Sequence, residues 1–189
     1  IVLLGDPEPD SAPATGFRSG AALAPAIDPL ARRLLLFELV DGWRRVIDAD
    51  RAGKGESEPF YVAKSRADAF ALAGDLAGLI DGAIIEDVPL ARLAGGPPPD
   101  FDPARHDAYW SLTAKFLQIA AEAWPETLLE HALLDAVERS NALVRALALD
   151  LETAPPGGPV SVAGSTGSAG APADLRRVVA RLPMGAVIL

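Results

Sequence analysis

The closing segment, PVSVAGSTGSAGAPADLRRVVARLPMGAVIL from Pro159 to Leu189, constrains the fold more than any other stretch. An apolar run leads through a Gly/Ser loop into a short amphipathic helix and then into a second apolar run, GAVIL. Two such runs joined by one helix read as parallel strands with a crossover, and a parallel pair needs a larger sheet around it. A Gly/Ser loop that enters a helix N-terminus is also the layout of a phosphate-binding site, because free backbone N–H groups and the helix dipole face the loop.

The chain opens on a similar apolar run, IVLL, and then on Gly5 to Ala24, which is rich in Pro, Gly, Asp, Ser and Ala and reads as a connecting loop. Chain ends usually taper into polar residues. Both ends here fall in strand-like runs, so the chain is expected to be a piece of a longer protein.

Between these ends the signals are helical. Asp28 before Pro29 is a start signal: an N-cap acceptor precedes a residue whose missing N–H costs nothing in the first turn. In the run that follows, Leu34, Leu35, Leu36, Phe37, Leu39 and Val40 cover most of the circumference, which predicts a helix packed on several sides. RAGKGESEP breaks it. Ser65 with Asp68 predicts a second capped start, followed by Ala69, Leu72, Ala73, Leu76, Leu79 and Ile80 at spacings of three and four. GGPPPDFDP forbids helix, a further helical stretch is expected from near Ala104, Pro125 marks a kink or a new first turn, and APPGGP ends the helical block.

The expected fold class is therefore α/β but mostly α by residue count: part of a parallel sheet interrupted by a large all-helical insertion. The expected domains are 1–27, a strand and loop of the core; 28–155, the helical insertion; and 156–189, a strand, loop, helix and strand of the core.

Charge narrows the choice of partners. The chain carries -9 overall, yet Arg176, Arg177 and Arg181 against Asp174 leave Pro159 to Leu189 at +2 and the remainder at -11. Phosphate contact depends on clustered Lys and Arg, so any anion contact belongs at this end. The plainer reading, three arginines solvating a helix face, is favoured on the residues alone. With no Cys there is no disulfide framework or thiolate metal site, and a reducing compartment fits. No apolar stretch reaches the roughly 20 residues of a membrane helix. His106 and His131 have no metal partners at ligand spacing. Tyr109, Trp110 and Trp124 could stack on unpaired bases, but in apolar company they read as core.

Four pieces, ALAGDLAGLIDGAIIEDVPLARL, YWSLTAKFLQIAAEAWPETLLEH, RSNALVRAL and the APPGGPVSVAGSTGS stretch with ADLRRVVARLPMGAVIL, carry a shared pattern. Together they resemble the AddB subunit family of the AddAB helicase–nucleases, in its alphaproteobacterial form. The resemblance covers roughly Ala69 to Leu189. AEAWP, Ala121 to Pro125, and AGSTGS, Ala163 to Ser168, are its most specific parts; Pro172 departs from it, standing where a hydroxyl residue would cap the helix.

The resemblance implies a RecA-like core interrupted by a helical subdomain, within a cytoplasmic bacterial complex that acts as an ATP-dependent helicase and exonuclease in double-strand break repair. The partners implied are an AddA subunit and DNA, with no membrane. In active motors of this superfamily the strand matching Val160 to Ala163 leads into an Asp-Glu pair that serves Mg²⁺ and the attacking water. Here Gly164, Ser165, Thr166, Gly167 and Ser168 follow instead, and the Lys-bearing G-x-x-x-x-G-K-[ST] loop is nowhere in the chain. The chain itself is expected to have no catalytic residue, no metal site and no cofactor, whereas the parent complex would use ATP and Mg²⁺, with an iron–sulfur cluster as a further option. The anion- or DNA-binding candidates are Ser165, Thr166, Ser168, Arg176, Arg177 and Arg181. Leu175, Val178, Val179 and Leu182 form the apolar face opposite these arginines and should pack on the sheet. The alternative is an enzyme domain that binds a nucleotide or phosphate with the 163–168 loop.

Overall fold

In the computed structural model the described residues are 23–54, 63–92, 94, 112–163 and 170–188. They are mostly helical and include one pair of parallel strands. The run IVLL, the 164–168 loop, His106, Tyr109 and Trp110 lie outside them. The chain divides into two compact units, one of Ile1–Ile27, Ile84–Asp87 and Ala132–Leu189, the other of Asp28–Ala83 and Val88–His131.

The all-helical unit begins with α1, Pro29–Gly53, whose N-cap Asp28 accepts from the backbone N–H of Leu30 at 2.9 Å and of Ala31 at 3.0 Å. Leu36, Val40 and Ile47 form a buried stripe and Leu35, Phe37 and Leu39 are half-buried around it, as expected of a helix packed on several sides, whereas Leu34 is 47% exposed. Spacings of four and seven keep the stripe on one side of a 3.6-residue helix, and Leu34 falls outside it.

Helix α2, Arg66–Ile85, starts with the reciprocal cap that Ser65 and Asp68 predict. Asp68 N–H donates to Ser65 Oγ at 3.2 Å, and Ser65 N–H donates to Asp68 Oδ2 at 2.9 Å. Its buried residues in this unit, Ala69, Ala73, Leu76, Ile80 and Ala83, follow a helical repeat. The two helices run antiparallel, because Arg32 near the start of α1 forks onto Asp81 near the end of α2 at 2.8 and 3.3 Å. Arg33 lies 4.6 Å from the Phe70 ring centroid, over Gly74, where a side chain would meet the guanidinium at 2.7 Å.

Farther along, helix α3 (112–118) widens into a π-turn, Ile119–Ala123, and resumes as α4, Trp124–Glu130. Pro125 accounts for the break. It has no N–H for the carbonyl four residues back and its ring would strike that carbonyl, which the wider turn relieves. The Trp124 N–H reaches five residues back to the Ile119 carbonyl, and Thr127 Oγ1 donates to the Ala123 carbonyl at 2.8 Å. Trp124 is fully buried, as its apolar company predicts.

The unit that carries the strands holds α5, Ala136–Thr153; β1, Val160–Ala163; α6, Gly170–Val179; and β2, Gly185–Ile188. Strands β1 and β2 are parallel, with Val160 opposite Gly185 and Val162 opposite Val187. The segment before α1 joins this unit through a bridge between Ala26 and Leu134. Asp135 caps α5 and accepts from Val137 N–H at 3.3 Å.

The core of this unit is a seam between helices. Val144, Leu147, Ala148 and Leu151 of α5 meet Ala171, Leu175 and Val179 of α6, flanked by Val160, Val162, Val178, Leu182 and Val187. The apolar face of α6 thus meets α5 as well as the expected sheet. Along each strand burial alternates: Val160 and Val162 are half-buried, while Ser161 and Ala163 are exposed.

Candidate anion-binding groove on α5 and α6

Helix α6 starts at Gly170, which adopts φ +69, and a Cβ there would stand 2.9 Å from the Ile85 carbonyl oxygen. Only glycine meets both conditions without strain. Pro172, the departure from the resembled pattern, sits in the first turn of α6, where its missing N–H would have had no helical partner.

Buried residues Ala171, Leu175 and Val179 define the inner side of α6 and hence where its arginines stand. Arg177 is opposite them and exposed; Arg181, in the turn after the helix, is also exposed. Arg176 is rotated about 100° from Arg177 toward the other flank and is half-buried. The structure therefore brings Arg177 and Arg181 together and leaves Arg176 apart.

A third cation joins them from α5. A shallow groove of about 290 Å³ is lined by Arg145, Ala148, Leu149 and Glu152 on α5 and by Asp174, Arg177, Val178 and Arg181 on the other side. Arg145, Leu149 and Glu152 recur at spacings of four and three, so they form one flank of α5 beside its buried stripe. Two of the three guanidiniums are engaged within the chain. Arg145 donates to Asp87 Oδ1 and Arg177 to Asp174 Oδ1, each at 2.7 Å. Arg181 forms no ion pair with a described residue.

Arg145 is not a residue that the sequence singles out. Its place follows from the pairing of α5 with α6, and its carboxylate partner is 58 residues away. Ser165, Thr166 and Ser168 lie outside the described residues.

The donor set does not fit a nucleotide-bound Mg²⁺. No carboxylate follows β1 before Asp174, and Asp174 is bonded to Arg177. Among the described residues no group of three or more His, Asp or Glu side chains could hold a metal ion. His131 ends α4 with its Nδ1 2.8 Å from the Thr127 carbonyl oxygen. No helix among the described residues is long and apolar enough to cross a membrane.

A second charged cluster lies in the all-helical unit. Asp41 is buried, with 2% of its side chain exposed, and accepts two N–H bonds from Arg44 at 2.8 and 3.0 Å and a third from Arg45. Arg44 holds the Asp41 carboxyl below the usual carboxylate range, against the opposing pull of burial. Asp41, Glu38, Arg45, Arg66, Phe37 and Gly42 line a small cavity whose acidic and basic groups balance. The groove on α5 and α6 is lined by three arginines against Glu152 and Asp174, an excess of one charge that Asp87 balances through Arg145.

No family model, curated protein or solved structure matches this chain.

Proposed function

We propose that the chain is a non-catalytic, DNA-guiding part of a heterodimeric ATP-dependent helicase–exonuclease of the AddAB type, acting in double-strand break repair and recombination in the bacterial cytoplasm. Its partners are an AddA-type subunit and DNA. One observation carries the reading: β1 and β2 are parallel and are joined through α6 by AGSTGS, where the resembled motors place their catalytic carboxylates. Parallel strands with a helical crossover are the building unit of a RecA-like core, and the exposed face of this pair suits the second helical layer that such a core carries. The finer fold, a RecA-like core interrupted by a helical insertion, belongs to this proposal.

In this reading the chain does positioning work. The loop after β1 supplies neither a metal carboxylate nor a base to orient water, so nucleotide hydrolysis falls to the partner. With no Cys, the chain holds no thiolate for an iron–sulfur cluster. Arg177 and Arg181 offer guanidiniums to phosphates of a passing strand.

Phosphate release by the purified chain, with ATP, Mg²⁺ and single-stranded DNA present, tests the loss of catalysis. The expected rate is that of the buffer blank. Turnover that disappears on mutating Thr166 and Ser168, together with a rise in melting temperature on adding ATP and Mg²⁺, would replace this reading with that of a nucleotide-binding enzyme domain.

A further inference from the structure

We infer that the groove between α5 and α6 is a phosphodiester-backbone site kept closed by two carboxylates of the chain itself. Asp87 occupies Arg145, Asp174 occupies Arg177, and a nucleic-acid strand takes over both guanidiniums after first contact at Arg181. The choice of a nucleic acid as the polyanion rests on the proposed function; the latched groove rests on the geometry.

Among the described residues, the groove pairs contrast with those of two buried arginines. Arg32 and Arg44 are largely buried, at 13% and 15% side-chain exposure, and each forks two N–H groups onto one carboxylate. The Arg32 fork ties α1 to α2, and the Arg44 fork lies within α1. The groove pairs differ in both respects. Arg145 and Asp87 are 44% and 61% exposed, Arg177 and Asp174 are 58% and 44% exposed, and each pair is joined through one N–H. Exposed single-point pairs contribute little and exchange readily, whereas a phosphate can accept both N–H groups of a guanidinium fork.

The rest of the groove fits the same ligand. Ala148, Leu149 and Val178 provide an apolar floor, and Leu149 is 55% exposed, enough to meet a sugar or a base. Glu152 pairs with no described cation and opposes a phosphate placed beside it, which confines the strand to the arginine side. Asp87 lies outside α5 and α6, at φ 57, so releasing Arg145 from it disturbs neither helix.

The test uses isosteric release of the latch. Asn tolerates a positive φ and keeps the shape of Asp, so Asp87→Asn with Asp174→Asn removes two charges while preserving the backbone. Binding of a fluorescein-labelled oligo(dT) strand to the 189-residue chain is followed by anisotropy across a salt series. The double variant is expected to bind about three- to tenfold more tightly than the parent, since two exposed pairs no longer compete. Arg145→Ala should weaken binding and make the log–log salt slope shallower by about one unit. Circular dichroism confirms that each variant is folded.

An unchanged or weaker affinity in the double Asn variant would overturn the latch, as would an Arg145→Ala variant that keeps the parent's affinity and slope. Equal or tighter binding of poly-glutamate would assign the groove to an acidic protein segment and overturn the nucleic-acid site. These outcomes leave the helicase–nuclease reading standing. If the chain fails to assemble with an AddA-type subunit while the groove variants behave as expected, that reading falls and the groove stands.

Discussion

A Cβ on Gly185 would run into the backbone carbonyl of Val179, which joins the end of α6 to the start of β2 with no room for a side chain. The turn between them is tightened by the Gly185 N–H, which donates to the Leu182 carbonyl at 3.1 Å. The return from helix to strand therefore depends on glycine for space.

Gly185→Ala should destabilise the chain by about 1–3 kcal/mol, the cost of forcing a group into packed backbone. That outweighs the roughly 0.4–1 kcal/mol a Gly→Ala change gains by restricting the unfolded chain. Urea denaturation followed by circular dichroism measures the difference. A variant as stable as the parent would show that the turn has slack.

Val179 is fully buried where α6 meets both α5 and the sheet. Val179→Asp would put an unpaired charge in that seam, at a cost of about 3–5 kcal/mol. Val179→Ala, which removes only methyl groups, should cost less than half as much. Equal stabilities for the two variants, each measured by urea denaturation, would mean that α6 is not docked.

Asp41 links acid stability to the all-helical unit. Its carboxyl titrates lower in the folded chain than in the unfolded one, with Arg44 the main cause. The stabilisation is thus fully present above the unfolded carboxylate range, near pH 4, and is lost as pH falls through the lower folded value. Asp41→Asn should cost about 1–3 kcal/mol at pH 7, because it weakens the charged hydrogen bonds from Arg44 and Arg45, while Arg44 keeps Asp48. Its stability should also fall less steeply than the parent's below pH 4. Parallel acid limbs in the two proteins would remove Asp41 from the account.

Local signals are readable in the sequence where neighbours along the chain satisfy each other. Asp28 caps α1 through N–H groups two and three residues on, and Ser65 with Asp68 caps α2 across three residues. Pro125 marks its boundary as a kink or a new first turn, and the structure resolves it as a π-turn followed by α4. The run from Leu34 to Val40 suggests packing all round, yet an apolar residue can face water at modest cost, and Leu34 does.

Long-range pairing is not readable in the same way. The apolar stripe of α6 does not say whether its partner is a sheet or α5, and the groove exists only because both helices contribute. Arg145 and Asp87 meet across 58 residues through a turn at positive φ. Arg176 and Arg177, adjacent in sequence, are separated by the helix they share.

The proposed role in a helicase–nuclease is tested by co-expression of this reading frame with an AddA-type subunit, followed by size-exclusion chromatography and titration with a blunt DNA end. One stoichiometric heterodimer that binds the end is expected. In that complex, Arg177→Ala with Arg181→Ala should make the log–log salt dependence shallower by about two units, one for each phosphate that no longer meets a guanidinium. Separate elution of the two proteins, or a double variant with the parent's affinity and salt slope, would contradict that role.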